Sequence, residues 1–111
     1  MAYDLEQRTL DFNKNVIIFC KTLKQDTISR PIISQVVRSS GSIGANYIEA
    51  NESLGKNDFR HHLQIARKEA KETIYWLDSL RVLTNSEEIN GLVGECTQLK
   101  KILSAIIEKC K

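Results

Sequence analysis

Along nearly the whole chain the apolar residues recur at alternating steps of three and four, the spacing of one face of an α-helix. The first stripe is Leu5, Thr9, Phe12, Val16, Phe19 and Leu23. Polar residues from Lys24 to Thr27 interrupt it. Ser29-Arg30-Pro31 then suits a helix start, because the amides of a first turn lack intrahelical partners. A second stripe runs through Ile33, Val36, Ser40, Ile43, Tyr47 and Leu54, with Gly55 expected as the helix stop. Asn57 is the expected N-cap of a third helix, and Asp58 favours its positive end. The third stripe is Phe59, Leu63, Ala66, Ala70, Thr73, Leu77 and Leu80. Thr84-Asn85-Ser86 separates it from a fourth, made of Ile89, Leu92, Cys96, Leu99, Leu103, Ile106 and Cys110. Glu87 and Glu88 lie in the first turn of that last helix.

Four helices, each about 30 Å long, with short connections predict an all-α fold, an antiparallel up-down-up-down four-helix bundle. At 111 residues the chain is one domain over 1–111. Its 41% hydrophobic content excludes a disordered tail, and a single proline with 5 glycines argues against a many-turned β-sandwich. Ile18, Ile48, Ile65, Trp76, Val82, Ile102 and Ile107 sit off the stripes. Such a surplus either widens the core or forms a partner surface, and self-association into a homo-oligomer is the expectation.

The second helix has an unusual middle. Gly41 and Gly44 each cost a helix about 1 kcal/mol relative to alanine, which a close helix approach would explain. Gln35, Arg38, Ser42, Asn46 and Glu49 step by three or four and share a face. In an antiparallel hairpin turning near Gly55, facing residue numbers sum to roughly 111. That register brings Arg38 towards Glu72, Ser42 towards Glu69, and Glu49 towards His61 or His62. A polar ladder of Gln35, Arg38, Ser42, Asn46, Glu49, Glu69 and Glu72 is therefore expected between helices two and three, or between subunits. Glu69 and Glu72 could instead be an acid/base pair, but an arginine partner is at hand and no nucleophile or oxyanion donor set accompanies them.

The remaining chemistry is mostly excluded. His61 and His62 are adjacent and diverge on a helix, so they do not share a metal. Gly41 and Gly44 lack the strand and Lys-Ser/Thr of a phosphate loop. Ser39, Ser40 and Ser42 have no nucleophile-elbow context. No catalytic residue, cofactor or metal is expected, and the protein reads as a non-enzyme. Acids stand at the N-terminus where a secretory signal carries positive charge. The apolar run from Val16 to Cys20 is far too short to span a bilayer. Three cysteines, Cys20, Cys96 and Cys110, form no even framework. A reduced, cytoplasmic protein with no membrane contact is expected, with Cys96 and Cys110 as small core residues.

Net charge is only +2, yet the basic residues are not scattered evenly. Lys56, Arg60, Arg67, Lys68 and Lys71 fall in the third helix, where Arg60, Arg67 and Lys71 share a face. Lys100, Lys101, Lys109 and Lys111 make the fourth helix basic. Rows of this kind can follow a phosphate backbone, and repetition around an oligomer multiplies the charge. The alternative is a solvated face interspersed with acids such as Glu69 and Glu72.

The run from Gln35 to Ala50 (Gln-Val-Val-Arg-Ser-Ser-Gly-Ser-Ile-Gly-Ala-Asn-Tyr-Ile-Glu-Ala) resembles the 23S rRNA-intervening sequence proteins. Lys56-Asn57-Asp58-Phe59, the run from Ala66 to Leu77, and the opening from Tyr3 to Thr9 carry the same resemblance, while the fourth helix agrees in pattern only. The resemblance implies a small up-down bundle assembling as a ring, typically a homopentamer. Related bundles act as accessory proteins in diversity-generating retroelements, where a basic pentamer associates with nucleic acid and the reverse transcriptase. No catalytic residues carry over. Two functions are therefore expected to compete: a non-enzymatic oligomer binding structured RNA or DNA through basic helix faces, and a protein–protein scaffold that docks another protein.

Overall fold

The computed structural model describes residues 4–110. Tyr3 and Lys111, named above, lie outside them. Four helices make up the fold: α1 (Leu5–Cys20), α2 (Ser29–Asn51), α3 (Lys56–Leu80) and α4 (Glu88–Lys109). No strand occurs among the described residues.

Local chemistry sets the helix ends. Asp4 caps α1 by accepting from the Glu6 amide at 3.0 Å. The α1 stripe was expected to reach Leu23, but the helix stops at Cys20. The Thr22 and Leu23 amides fall back on the Phe19 and Cys20 carbonyls, and the Gln25 amide donates to the carbonyls of Cys20 and Leu23. Ahead of α2, Asp26 accepts from the Ser29 amide at 2.8 Å while its own amide donates to Ser29 Oγ, a reciprocal cap. Those bonds, the Ser29 amide first, hold the Asp26 carboxyl below its ordinary value. Pro31 is the third residue of α2.

Gly55 plays a different part from the one expected. The α2 helix ends at Asn51, where the Ser53 amide bonds the Ala50 carbonyl and the Ser53 hydroxyl bonds that of Glu49. Gly55 is extended and opens α3, its carbonyl accepting from the Phe59 amide. Asn57 consequently lies inside the helix rather than at its cap. Leu54, expected in the second stripe, is thrown fully into solvent by this link.

One core joins the four helices. Phe12, Val16 and Phe19 meet Val36 and Ile43, Leu63 and Leu77, and Leu92, Leu99 and Leu103. The α2–α3 contact is the most extensive and the α1–α4 contact the thinnest. Partner numbers run in opposite senses across α1 and α2: Glu6 bonds Asn51, while Asn13 bonds Ser40. They do so again across α3 and α4, where Arg67 bonds Ser104 and the Cys96 thiol donates to the Ala70 carbonyl. In α4 the inward position is Ile107 rather than Ile106, which is only half-buried, as is Cys110. Of the surplus apolar residues, Ile18 (61%) and Val82 (87%) remain well exposed.

The small residues of α2 decide how closely α1 approaches. Gly44 is buried, and a Cβ added there would stand 2.7 Å from Thr9 Oγ1 and 3.1 Å from Thr9 Cβ. Thr9 cannot yield easily, because its hydroxyl already donates to the carbonyls of Leu5 and Glu6 and its β-branched side chain is stiff. Gly91 and Gly94 on α4 face open space. Gly44→Ala is expected to lower stability by about 1–2 kcal/mol, overpacking outweighing the better helix former. Gly91→Ala should instead raise it by about 0.5–1 kcal/mol. Thermal melts of both variants check the contrast.

Candidate nucleic-acid interface

Two polar systems flank α3, one on each side. Towards α2, Ser39 and Thr73 are fully buried and share a 2.8 Å hydroxyl bond, with Thr73 donating. This contact needs short side chains, and it sets α2 and α3 close enough for Arg38 to reach across. Arg38 Nη1 lies 3.3 Å from Glu69 Oε1, Nη2 pairs with Glu72 Oε2, and Nε donates to Gln35 Oε1 at 2.9 Å. The same Glu72 oxygen accepts from the Trp76 indole N–H at 2.9 Å. Trp76 first, and then Arg38, hold the Glu72 carboxyl below its ordinary value.

Not every residue of the expected ladder crosses the gap. The Ser42 hydroxyl bonds the Arg38 carbonyl, and the Asn46 amide bonds the Ser42 carbonyl. Short polar side chains in a helix commonly bond back one turn in this way, so Glu69 is reached only by the longer arginine. Glu49 is exposed, and its carbonyl accepts from the Ser53 hydroxyl one turn on. His62 lies 3.4 Å from Asp58 instead, with Nδ1 buried and unpartnered.

On the other side of α3 lie the basic candidates. Lys56, Lys68 and Lys71 are exposed, while Arg60 and Arg67 are half-buried. Arg67 donates to Ser104 at 3.4 Å and Arg81 to Asn90 at 2.8 Å, which fixes the register of α4. Lys71, one turn beyond Arg67, then stands level with Lys100, one turn before Ser104 on α4. Ion pairs join Arg8 with Glu95, Arg38 with Glu69 and with Glu72, His62 with Asp58, and Arg81 with Asp78. None of these reaches Arg60, Arg67, Lys68, Lys71, Lys100 or Lys101, although Lys68 lies near enough to Glu72 to help hold its carboxyl down.

The other places where chemistry could sit are quiet. Burial pushes the Cys20 thiol up to about 11 and that of Cys96 up to about 12, so neither is a ready nucleophile. Among the described residues no cluster of three His, Cys, Asp or Glu could hold a metal ion. No helix there is long and apolar enough to cross a membrane. A groove of about 330 Å³ between α1 and α2 is lined by Thr9, Leu10, Asn13, Gly44 and Ile48, with the Asp4 and Glu6 carboxylates at the α1 N-terminal end. Asp4 caps α1 and Glu6 accepts from the Asn51 side-chain amide, so both already have structural partners.

Sequence comparison decides the family. The model described as 23S rRNA-intervening sequence protein matches residues 2–105. The chain belongs to this family. That agrees with the resemblance carried by Gln35–Ala50 and Ala66–Leu77. Among solved structures, this member of the 23S rRNA-intervening sequence proteins is similar to a protein with unknown function from the S23 ribosomal protein family of Bacteroides thetaiotaomicron. The two share 32% identity at a TM-score of 0.85, over 93% of this chain and 94% of that one. No curated protein matches.

Pairing spacing alone could not reveal the Arg8–Glu95 contact, a bidentate pair at 2.7 and 2.8 Å between α1 and α4. Its partners lie at opposite ends of the sequence and share no hairpin. The ladder carries its own pH signature. Because the Glu72 carboxyl is depressed, its contribution is complete above its ordinary value of 4.5 and is lost as pH falls below that through the depressed pKa. Trp76 is the single tryptophan, so its emission should change with acid in that window, and Glu72→Gln should abolish the transition. An emission profile from pH 7 to pH 2 checks both.

Proposed function

We propose that this protein is a non-enzymatic, self-assembling module that binds structured RNA, or nucleic acid more generally, through the basic face of α3. One observation carries the reading. Arg38 draws Glu69 and Glu72 of α3 towards α2, whereas Arg60, Arg67, Lys71, Lys100 and Lys101 take part in none of the ion pairs given above, and Lys68 stands exposed beside Glu72. Arg60, Arg67, Lys68 and Lys71, continued by Lys100 and Lys101 and with Lys56 at the start of α3, form a row able to neutralise successive phosphates. A formal charge of only +2 is no obstacle, because local arrangement rather than net charge meets the ligand.

An antiparallel up-down-up-down bundle closing into a ring, a homopentamer by family resemblance, would repeat this row once per subunit. Leu10 (45%), Ile17 (38%) and Ile48 (44%) supply exposed apolar surface along α1 and α2 for such assembly. The same surface supports a second reading, a scaffold that docks another protein without nucleic acid. In either case three free thiols, two of them buried, suit a reducing, cytoplasmic setting.

Anisotropy of a labelled RNA hairpin and a matched DNA duplex, titrated at two salt concentrations, separates the readings. The module predicts saturable binding that weakens steeply with salt, and about tenfold or greater loss on combined charge reversal of Arg60, Arg67 and Lys71. Absence of binding at low salt would leave the scaffold. Light scattering of the purified protein tests assembly independently, and a monomer would remove the ring.

A further inference from the structure

Resting on the nucleic-acid reading, we propose that Tyr75 is a stacking platform for an unpaired base, so that the α3 face takes single-stranded RNA in preference to a duplex. Tyr75 is 64% exposed and stays out of the core, although the neighbouring Trp76 packs against it. Its position is not arbitrary. Lys68, Lys71 and Tyr75 stand at i, i+3 and i+7 on one face of α3, which sets the ring at the end of the basic row. Seven residues of helix span about 10 Å, the length of roughly three nucleotides stacked 3.4 Å apart. A base lying on Tyr75 would place the neighbouring phosphates over Lys71 and Lys68.

The ring is also held in place. Its centroid lies 4.9 Å from that of Trp76, with the two planes at 83° in an edge contact. Trp76 is fixed in turn by its indole bond to Glu72, and Glu72 by Arg38. The polar ladder on the α2 side thus positions an aromatic on the exposed side. Aromatic faces beside lysines match the two demands of single-stranded nucleic acid, a π-surface for bases and cations for phosphates. A duplex keeps its bases stacked among themselves and offers Tyr75 nothing beyond its backbone.

Binding of a labelled 12-nucleotide oligouridine and of a 12-base-pair RNA duplex to the full chain tests this. Tyr75→Ala should weaken the single strand by about fivefold or more while leaving the duplex and the salt slope unchanged. Tyr75→Phe should retain the wild-type affinity. Charge reversal of Lys68 and Lys71 should weaken both ligands and flatten the salt slope. If Tyr75→Ala binds the single strand as wild type does while the charge reversals still abolish binding, the platform is overturned and the basic-face reading stands. If neither RNA binds at low salt, both fall together. A melt of Tyr75→Ala, expected to match wild type because the ring is exposed, excludes misfolding as the cause.

Discussion

The close approach of α2 to both of its neighbours is the constraint on which the other contacts depend. It is made possible by small side chains at the positions where bulk would be ruinous. Gly44 lets the Thr9 side chain of α1 come within a methyl group's reach, and Ser40 takes the Asn13 amide at 2.9 Å. On the opposite flank Ser39 meets Thr73 of α3. Each buried hydroxyl is satisfied, so the polar atoms cost little while the backbones draw together. Large apolar residues at these sites would fill the core equally well but separate the helices.

That spacing governs how charge is distributed. With α2 and α3 drawn together, Arg38 engages Glu69 and Glu72 from across the gap. Arg8 does the same for Glu95 between α1 and α4. Carboxylates are thereby tied to the α2–α3 and α1–α4 seams, while the middle of the α3–α4 seam carries Arg67, Lys71 and Lys100, with Asp78 held by Arg81 at one end. A chain that is nearly neutral overall acquires a basic edge by arrangement. On the proposed reading this edge is where phosphates dock, and the ladder behind it also steadies the aromatic pair at its end.

Much of this fold is legible in the sequence because its periodicity is long and uninterrupted. The third stripe, from Leu63 to Leu80, is buried throughout. The errors fall where periodicity carries no information. Gly55 reads equally well as a stop or a start, and only the backbone of the link shows that it opens α3. Ile106 and Ile107 are adjacent and chemically equal, so the drift of the helix over its last turns selects between them. Arg38 with Glu72 is recoverable from hairpin register, since the two helices are consecutive. Arg8 with Glu95 is not, because α1 and α4 are not consecutive and no hairpin register relates them. Tyr75 escapes notice for another reason: it lies off the third stripe next to Trp76, and that one ring packs inward while the other stays exposed is visible only once both are placed.

The central claim is that nucleic acid lies on α3, on the side turned away from α2. Ultraviolet cross-linking of a uridine-rich RNA, with adducts mapped by peptide mass spectrometry, tests it most directly. The account predicts adducts on the α3 peptide spanning Lys68 to Tyr75, with weaker ones near Lys100 and Lys101 of α4. Adducts confined to α1 and α2, or none at all, would contradict it.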